Sequence, residues 1–181
     1  MWVHHAAGEL NLTPRIVFCH GLESGPHGSK YQAMVAAGLE IIAPDGRGKN
    51  LAERLVDVLE AVRAARGPWV LMGSSYGGAV ALLAAKLLEN ERRAPKAVLL
   101  CAPALHLEES PLNGAPPFIV SPLIIVHGRG DEVVSPSVSI DYVRRAEGEG
   151  HSVDLQLVAD DHRLSQNVRH LVSTARRLAQ R

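Results

Sequence analysis

The chain has 181 residues, 46% of them apolar and 21% charged, the composition of one soluble domain large enough to bury a core. Its 19 basic residues balance its 19 acidic ones, which speaks against nucleic acid as the main partner, because phosphate binding asks for a basic excess. No run of 18 apolar residues occurs, so no membrane span is expected, and residues 1–12 lack the apolar stretch of a secretory leader, so a cytoplasmic setting is expected.

Along the chain, short apolar segments alternate with stretches of helical spacing. Residues 15–19 and 40–43 read as strands, with a weaker helix over 31–37 between them. Leu51, Leu55, Val58, Leu59 and Val62 share one helical stripe, opened by Asn50 as a candidate N-cap. A strand over 69–72 is followed by a second stripe, Ala79, Val80, Leu83, Ala84 and Leu87. Strands over 97–101 and 123–126 flank residues 103–122, which carry five prolines and little periodicity and read as either a lid-like loop or a plain surface connection. A helix over 137–146 precedes 153–158, where Val153, Leu155 and Leu157 alternate with Asp154 and Gln156 as in an edge strand. Val168, Leu171, Val172, Ala175 and Leu178 form the last helical stripe, with Ser165 as its candidate N-cap. This alternation predicts an α/β fold in a single domain over 1–181: a mostly parallel sheet of six strands with helices on both faces. The two cysteines, Cys19 and Cys101, each end an apolar run and read as small core hydrophobes.

The strongest chemical signal is Gly73-Ser74-Ser75-Tyr76-Gly77-Gly78, a G-x-S-x-G pattern centred on Ser75, with an apolar strand before it and a striped helix after it. Such a turn strains the serine backbone, leaves no room for side chains at Gly73 and Gly77, and sets Ser75 at a helix N-terminus that favours negative charge. A serine hydroxyl needs a base. Of nine histidines, His162 fits by position, a few residues past the last strand in the polar turn Asp160-Asp161-His162-Arg163. His151 precedes that strand, His170 lies within a helix, His4 and His5 near the terminus, His106 in the proline-rich loop, and His127 ends a strand.

The orienting acid is expected after the strand over 123–126, where His127-Gly128-Arg129-Gly130-Asp131-Glu132 follows. Asp131 is the first choice and Glu132 the fallback, with Asp160 and Asp161 as more exposed substitutes. An oxyanion site needs two N–H donors; the expected ones are Tyr76, after the nucleophile, and Leu22, in the loop His20-Gly21-Leu22, with Gly21 next in line. The same loop positions nominate Gly21, Leu22, Glu23, Tyr76, Leu105 and Leu107 as substrate-binding residues, and His20 as a shaper of the loop. All these elements fall at C-terminal ends of expected strands, where open parallel sheets bind ligands.

With these motifs in this order, together with Asp45-Gly46-Arg47-Gly48, the chain resembles the α/β-hydrolase superfamily over roughly residues 15–180. Gly28-Ser29-Lys30 and Asp161-His162-Arg163 more narrowly resemble small bacterial members whose mitochondrial relatives act as acyl-protein thioesterases and acyl-glucuronide esterases. The resemblance implies hydrolysis of an ester or thioester through an acyl-serine, with no cofactor and no metal, on a small-molecule or acylated substrate. It also implies that the two strands with which the superfamily usually begins are missing, and that no cap domain covers the site. In that fold the nucleophile strand separates Cys19 from Cys101 by two strand spacings, about 9.6 Å, beyond the roughly 7 Å a disulfide tolerates. Two other readings stay open: an acyltransferase with the same three residues, and a catalytically idle binding domain. A haloalkane dehalogenase is disfavoured, because its elbow carries Asp where Ser75 stands.

Overall fold

The computed structural model describes residues 15–65, 68–106 and 115–180. Six strands run in chain order with five helices: β1 (Arg15–Cys19), α1 (Ser29–Ala36), β2 (Ile41–Ile42), α2 (Leu51–Ala64), β3 (Trp69–Ser74), α3 (Tyr76–Asn90), β4 (Ala97–Cys101), β5 (Leu123–Gly128), α4 (Pro136–Gly148), β6 (Val153–Val158) and α5 (Val168–Gln180). They pair in the order β2-β1-β3-β4-β5-β6, every pair parallel, so the expected α/β architecture holds and the alternating strand β6 is an edge.

The continuous apolar runs follow from burial on both faces. Val17, Leu71, Val98, Leu100 and Ile125 face α2, α3 and α4. Their neighbours Ile16, Phe18, Val70, Met72, Leu99, Ile124 and Val126 face α1 and α5. At about 25 cal/mol per Å² of apolar surface, this two-sided packing is the main favourable term for the fold. Helix α3 lies over the centre of the sheet, and eleven of its residues, glycines and alanines among them, are buried. Its small side chains let the helix sit close to the strands. Cys19 and Cys101 are buried free thiols on β1 and β4, two strands apart, and burial pushes them up to about 12 and about 11, where the reactive thiolate is scarce.

Several boundaries differ from expectation for identifiable reasons. Asn50 caps α2 in a complete capping box with Glu53, each side chain accepting from the other's backbone N–H. Ser165 does not cap α5. That helix starts at Val168, and its first backbone bond runs from the Leu171 N–H to the Asn167 carbonyl. Strand β2 shrinks to two residues, Ile41 and Ile42, the only ones in register with β1. Strand β5 extends to Gly128, so His127 lies inside the strand. Helix α3 starts directly after Ser75, three residues earlier than its apolar stripe shows, because Gly77 and Gly78 are helical without adding hydrophobicity. Between β4 and β5 no helix or strand occurs among the described residues. None of the described helices is long and apolar enough to cross a membrane.

Candidate active site

Ser75 joins the last residue of β3 to the first of α3 with φ 56° and ψ −122°, a conformation that costs a non-glycine residue roughly 1–3 kcal/mol and survives only where the surroundings enforce it. The surroundings here are backbone. A Cβ on Gly73 would run into the Gly77 carbonyl and come within 2.7 Å of the Gly78 Cα. One on Gly77 would strike the Cys19 carbonyl and lie 2.6 Å from that of His20. The Ser75 N–H donates to the Cys101 carbonyl at 2.9 Å, and its own carbonyl accepts from Gly78 and Ala104 at 2.8 and 3.0 Å. Strands β1, β3 and β4 thus converge on this one residue.

His162 stands in the turn after β6, with Nε2 3.0 Å from Ser75 Oγ and Nδ1 2.7 Å from Asp131 Oδ2. Hydrogen bonds hold that turn. The Asp160 carboxylate accepts from the Asp161 N–H and from both the backbone and side chain of Asn167. Its carbonyl accepts from the Gly130 N–H, which ties the His162 turn to the Asp131 turn. Lys30 Nζ donates to the Arg163 carbonyl at 2.7 Å and anchors the turn to α1. Leu164, fully buried with φ 56°, closes the turn into the core.

Asp131 is 6% exposed and receives four donors. Oδ1 accepts from the N–H groups of Val133 and Val134, each at 2.9 Å; Oδ2 accepts from His162 and, at 3.1 Å, from His127 Nε2. Burial alone would raise its carboxyl, but the bonds from Val134, His162 and Val133 outweigh that, and the net shift is below the ordinary carboxylate value. The carboxylate therefore stays ionised where it can orient an imidazole. Glu132 is exposed, and Asp160, expected at the surface, is buried as a loop staple; Asp161 is exposed and accepts from the Arg163 N–H.

The remaining nominated residues divide. Gly21 is buried against the nucleophile, its implied Cβ position 3.5 Å from Ser75 Cβ. Leu22 is 57% exposed on the same loop, and Glu23 is exposed beside it. Tyr76 opens α3, and its ring is buried beneath the Arg54 guanidinium. Leu105 is buried and lines a small, mostly apolar hollow of about 20 Å³ with Leu51, Ala79, Leu82, Leu83 and Ala104. Leu107 lies outside the described residues. His20 is buried and neutral in its bonding: Nε2 accepts from the Gly46 N–H at 2.9 Å, so Nδ1–H donates to the Gly21 carbonyl at 2.8 Å. Among the described residues no group of three or more His, Cys, Asp or Glu is arranged to hold a metal ion.

Two residues at this site have roles that the sequence reading did not assign. His127 is fully buried. Its Nδ1 accepts from Ser139 Oγ, and its Nε2–H points to the Val134 carbonyl and Asp131. Four-residue spacing from Asp131 was the available signal. Arg54 gave none, since an arginine within an amphipathic helix usually points to water.

The family model described as the alpha/beta hydrolase family matches residues 16–171. The chain belongs to the α/β hydrolase family. This α/β hydrolase is similar in structure to a protein of the same superfamily from Xanthomonas campestris pv. campestris, with 28% identity, a TM-score of 0.73, and coverage of 92% of this chain and 98% of that one. Est1E from Butyrivibrio proteoclasticus superposes with a TM-score of 0.73 at 17% identity, over 93% and 87% of the two chains. A second Xanthomonas campestris protein, an α/β serine hydrolase without a lid, does so with a TM-score of 0.69 at 20% identity, over 93% and 81%. The latter two likenesses speak for the fold. A search of curated proteins finds no match.

Proposed function

We propose that this α/β hydrolase is a serine hydrolase of carboxylic esters or thioesters, with Ser75 as nucleophile, His162 as general base and Asp131 as the acid that orients it. The observation that carries this reading is the unbroken chain of hydrogen bonds from Ser75 through His162 to a buried, ionised Asp131, at 3.0 and 2.7 Å.

In the reaction, Ser75 Oγ bonds to the acyl carbon while His162 Nε2 takes the hydroxyl proton. The carbonyl oxygen becomes an oxyanion, held by the N–H groups of Leu22 and Tyr76. When the oxyanion collapses, the bond to the alkoxide or thiolate breaks, and His162 returns its proton to that leaving group. Water then repeats the sequence on the acyl-serine: its proton goes to His162, its oxygen to the acyl carbon, and Ser75 leaves with the proton. The acid product departs and the enzyme is regenerated without cofactor.

The test is labelling with a fluorophosphonate, with the modified peptide read by mass spectrometry in wild type and Ser75→Ala. Modification of Ser75 alone is expected, followed by turnover of esters or thioesters graded by chain length. A folded wild type that takes no label would sink this reading and move the idle binding domain forward.

A further inference from the structure

Arg54 is 4% exposed, and an arginine is almost never so buried without a carboxylate. Among the described residues none pairs with it. Nε donates to the Lys49 carbonyl at 3.1 Å, and Nη1 reaches the carbonyls of His20 and Gly21 at 3.2 and 3.4 Å. Nη2 is buried with no hydrogen-bond partner. The guanidinium carbon sits 4.9 Å from the centre of the Tyr76 ring, within cation–π range. The fold makes room for this side chain: a Cβ on Gly46 would come within 2.8 Å of Nε. For stability alone a hydrophobic residue of similar volume would serve as well or better.

What Arg54 touches is informative. The Gly21 carbonyl accepts from three donors, His20 Nδ1 at 2.8 Å, Ser24 Oγ at 3.4 Å and Arg54 Nη1. The described peptide bonds are all trans, so the N–H of a peptide points opposite to its carbonyl. Anchoring the Gly21 carbonyl toward α2 therefore turns the Leu22 N–H the other way. Gly21 itself lies against Ser75. The other side of the guanidinium seats Tyr76, the residue after the nucleophile.

We propose that Arg54 is a positioning residue for the oxyanion site: it locks the Gly21–Leu22 peptide and the first residue of α3, and so aims both N–H donors at the oxygen of an acyl group on Ser75. Its charge also acts directly. With no carboxylate paired to it among the described residues, the guanidinium polarises the peptide whose N–H donates and favours the negative charge that develops nearby. The inference rests on the hydrolase reading above.

The experiment compares wild type with Arg54→Met and Arg54→Lys, using p-nitrophenyl butyrate turnover, thermal unfolding and affinity for an alkyl boronic acid, which forms an anionic tetrahedral adduct on an activated serine. Removing an oxyanion donor outright costs about 10²–10³-fold in kcat, so misaiming the donors is expected to lower kcat by roughly 10–100-fold in Arg54→Met. KM should stay within about twofold, boronate affinity should fall by the same factor as kcat, and Tm should hold or rise. Arg54→Lys keeps the charge without the fork and should recover part of the loss; it carries the comparison if Arg54→Met does not fold. Unchanged kcat and boronate affinity in an active background overturn the role of Arg54, as does a loss confined to Tm and KM. A wild type that is not labelled at Ser75 fails earlier, and then the hydrolase reading falls and takes this inference with it.

Discussion

The two halves of the site are held by different forces. The Ser75 elbow is held chiefly by steric exclusion, backbone from β1 and α3 filling the space where side chains on Gly73 and Gly77 would be, with three backbone hydrogen bonds on Ser75 completing the hold. The turns bearing Asp131 and His162 are held chiefly by directed hydrogen bonds, four to the Asp131 carboxylate and a further set around Asp160, with one steric contact where Gly128 abuts the Asp160 and Asp161 carbonyls. Steric exclusion leaves its mark in a few adjacent letters. Hydrogen-bonded loops leave theirs in donors and acceptors at no fixed spacing, most within seven residues of the carboxylate they serve, and in the Asp131–His162 pair 31 residues apart.

The largest effect should come from the residue the two halves share. Ser75→Ala is expected to lower kcat by about 10⁶-fold with the fold intact, and His162→Ala by a similar factor, because such residues act as a unit. Steady-state kinetics with circular dichroism would check both. If the two losses multiplied in the double variant, the hydrogen-bonded chain would not be the working unit. Asp131→Asn comes next, on the order of 10⁴-fold, because an amide stabilises the wrong imidazole tautomer. An active Asp131→Asn would shift the acid to Glu132 or Asp161, although neither is paired with His162 here.

Stability separates the halves more sharply. Gly77→Ala puts a methyl group against the Cys19 and His20 carbonyls, and backbone on both sides cannot yield. Overpacking of this kind should cost about 3 kcal/mol or more, read by urea unfolding. His127→Leu should cost less, about 1–3 kcal/mol, by leaving the Val134 carbonyl and the Ser139 hydroxyl without their partner. It should also loosen Asp131 and lower kcat about tenfold. If His127→Leu proved costlier than Gly77→Ala, the contrast between a rigid elbow and adaptable loops would be lost.

The same contrast explains what was legible in the chain. The parallel sheet and its two covered faces could be read because Val, Ile and Leu run unbroken where both faces are buried. The elbow could be read because two glycines and a serine at fixed spacing meet a steric demand. Asp131 and His162 could be placed only by their strands, and the choice among neighbouring carboxylates rested on position. Asp160 was misjudged because adjacent aspartates in a turn look solvated, while its donors come from Asn167, seven residues on. His127 was set aside as a base because it was read as the end of a strand, and its bond to Asp131 depends on a side-chain direction that position alone does not give. Arg54 was invisible because its role depends on contacts with residues 33 and 34 positions earlier in the chain.

The smallest effect is the pH dependence of the hydrogen-bonded half. Asp131 has its carboxyl held below the ordinary carboxylate value, by bonds that overcome its burial. In the unfolded chain the same group takes up a proton near pH 4. Between those two values the unfolded chain binds more protons than the folded one, so stability rises with pH there. The stabilisation from Asp131 is therefore complete above about pH 4 to 5 and is lost as pH falls through its folded value. Asp131→Asn cannot titrate. The difference in unfolding free energy between wild type and this variant should be largest at neutral pH and shrink on acidification, measured by urea unfolding at several pH values. A difference that stayed constant down to pH 3 would mean that the four donors hold the turn without favouring the charged form. Gly77→Ala, which changes only steric fit, should show a pH-independent difference over the same range and serves as the control from the other half of the site.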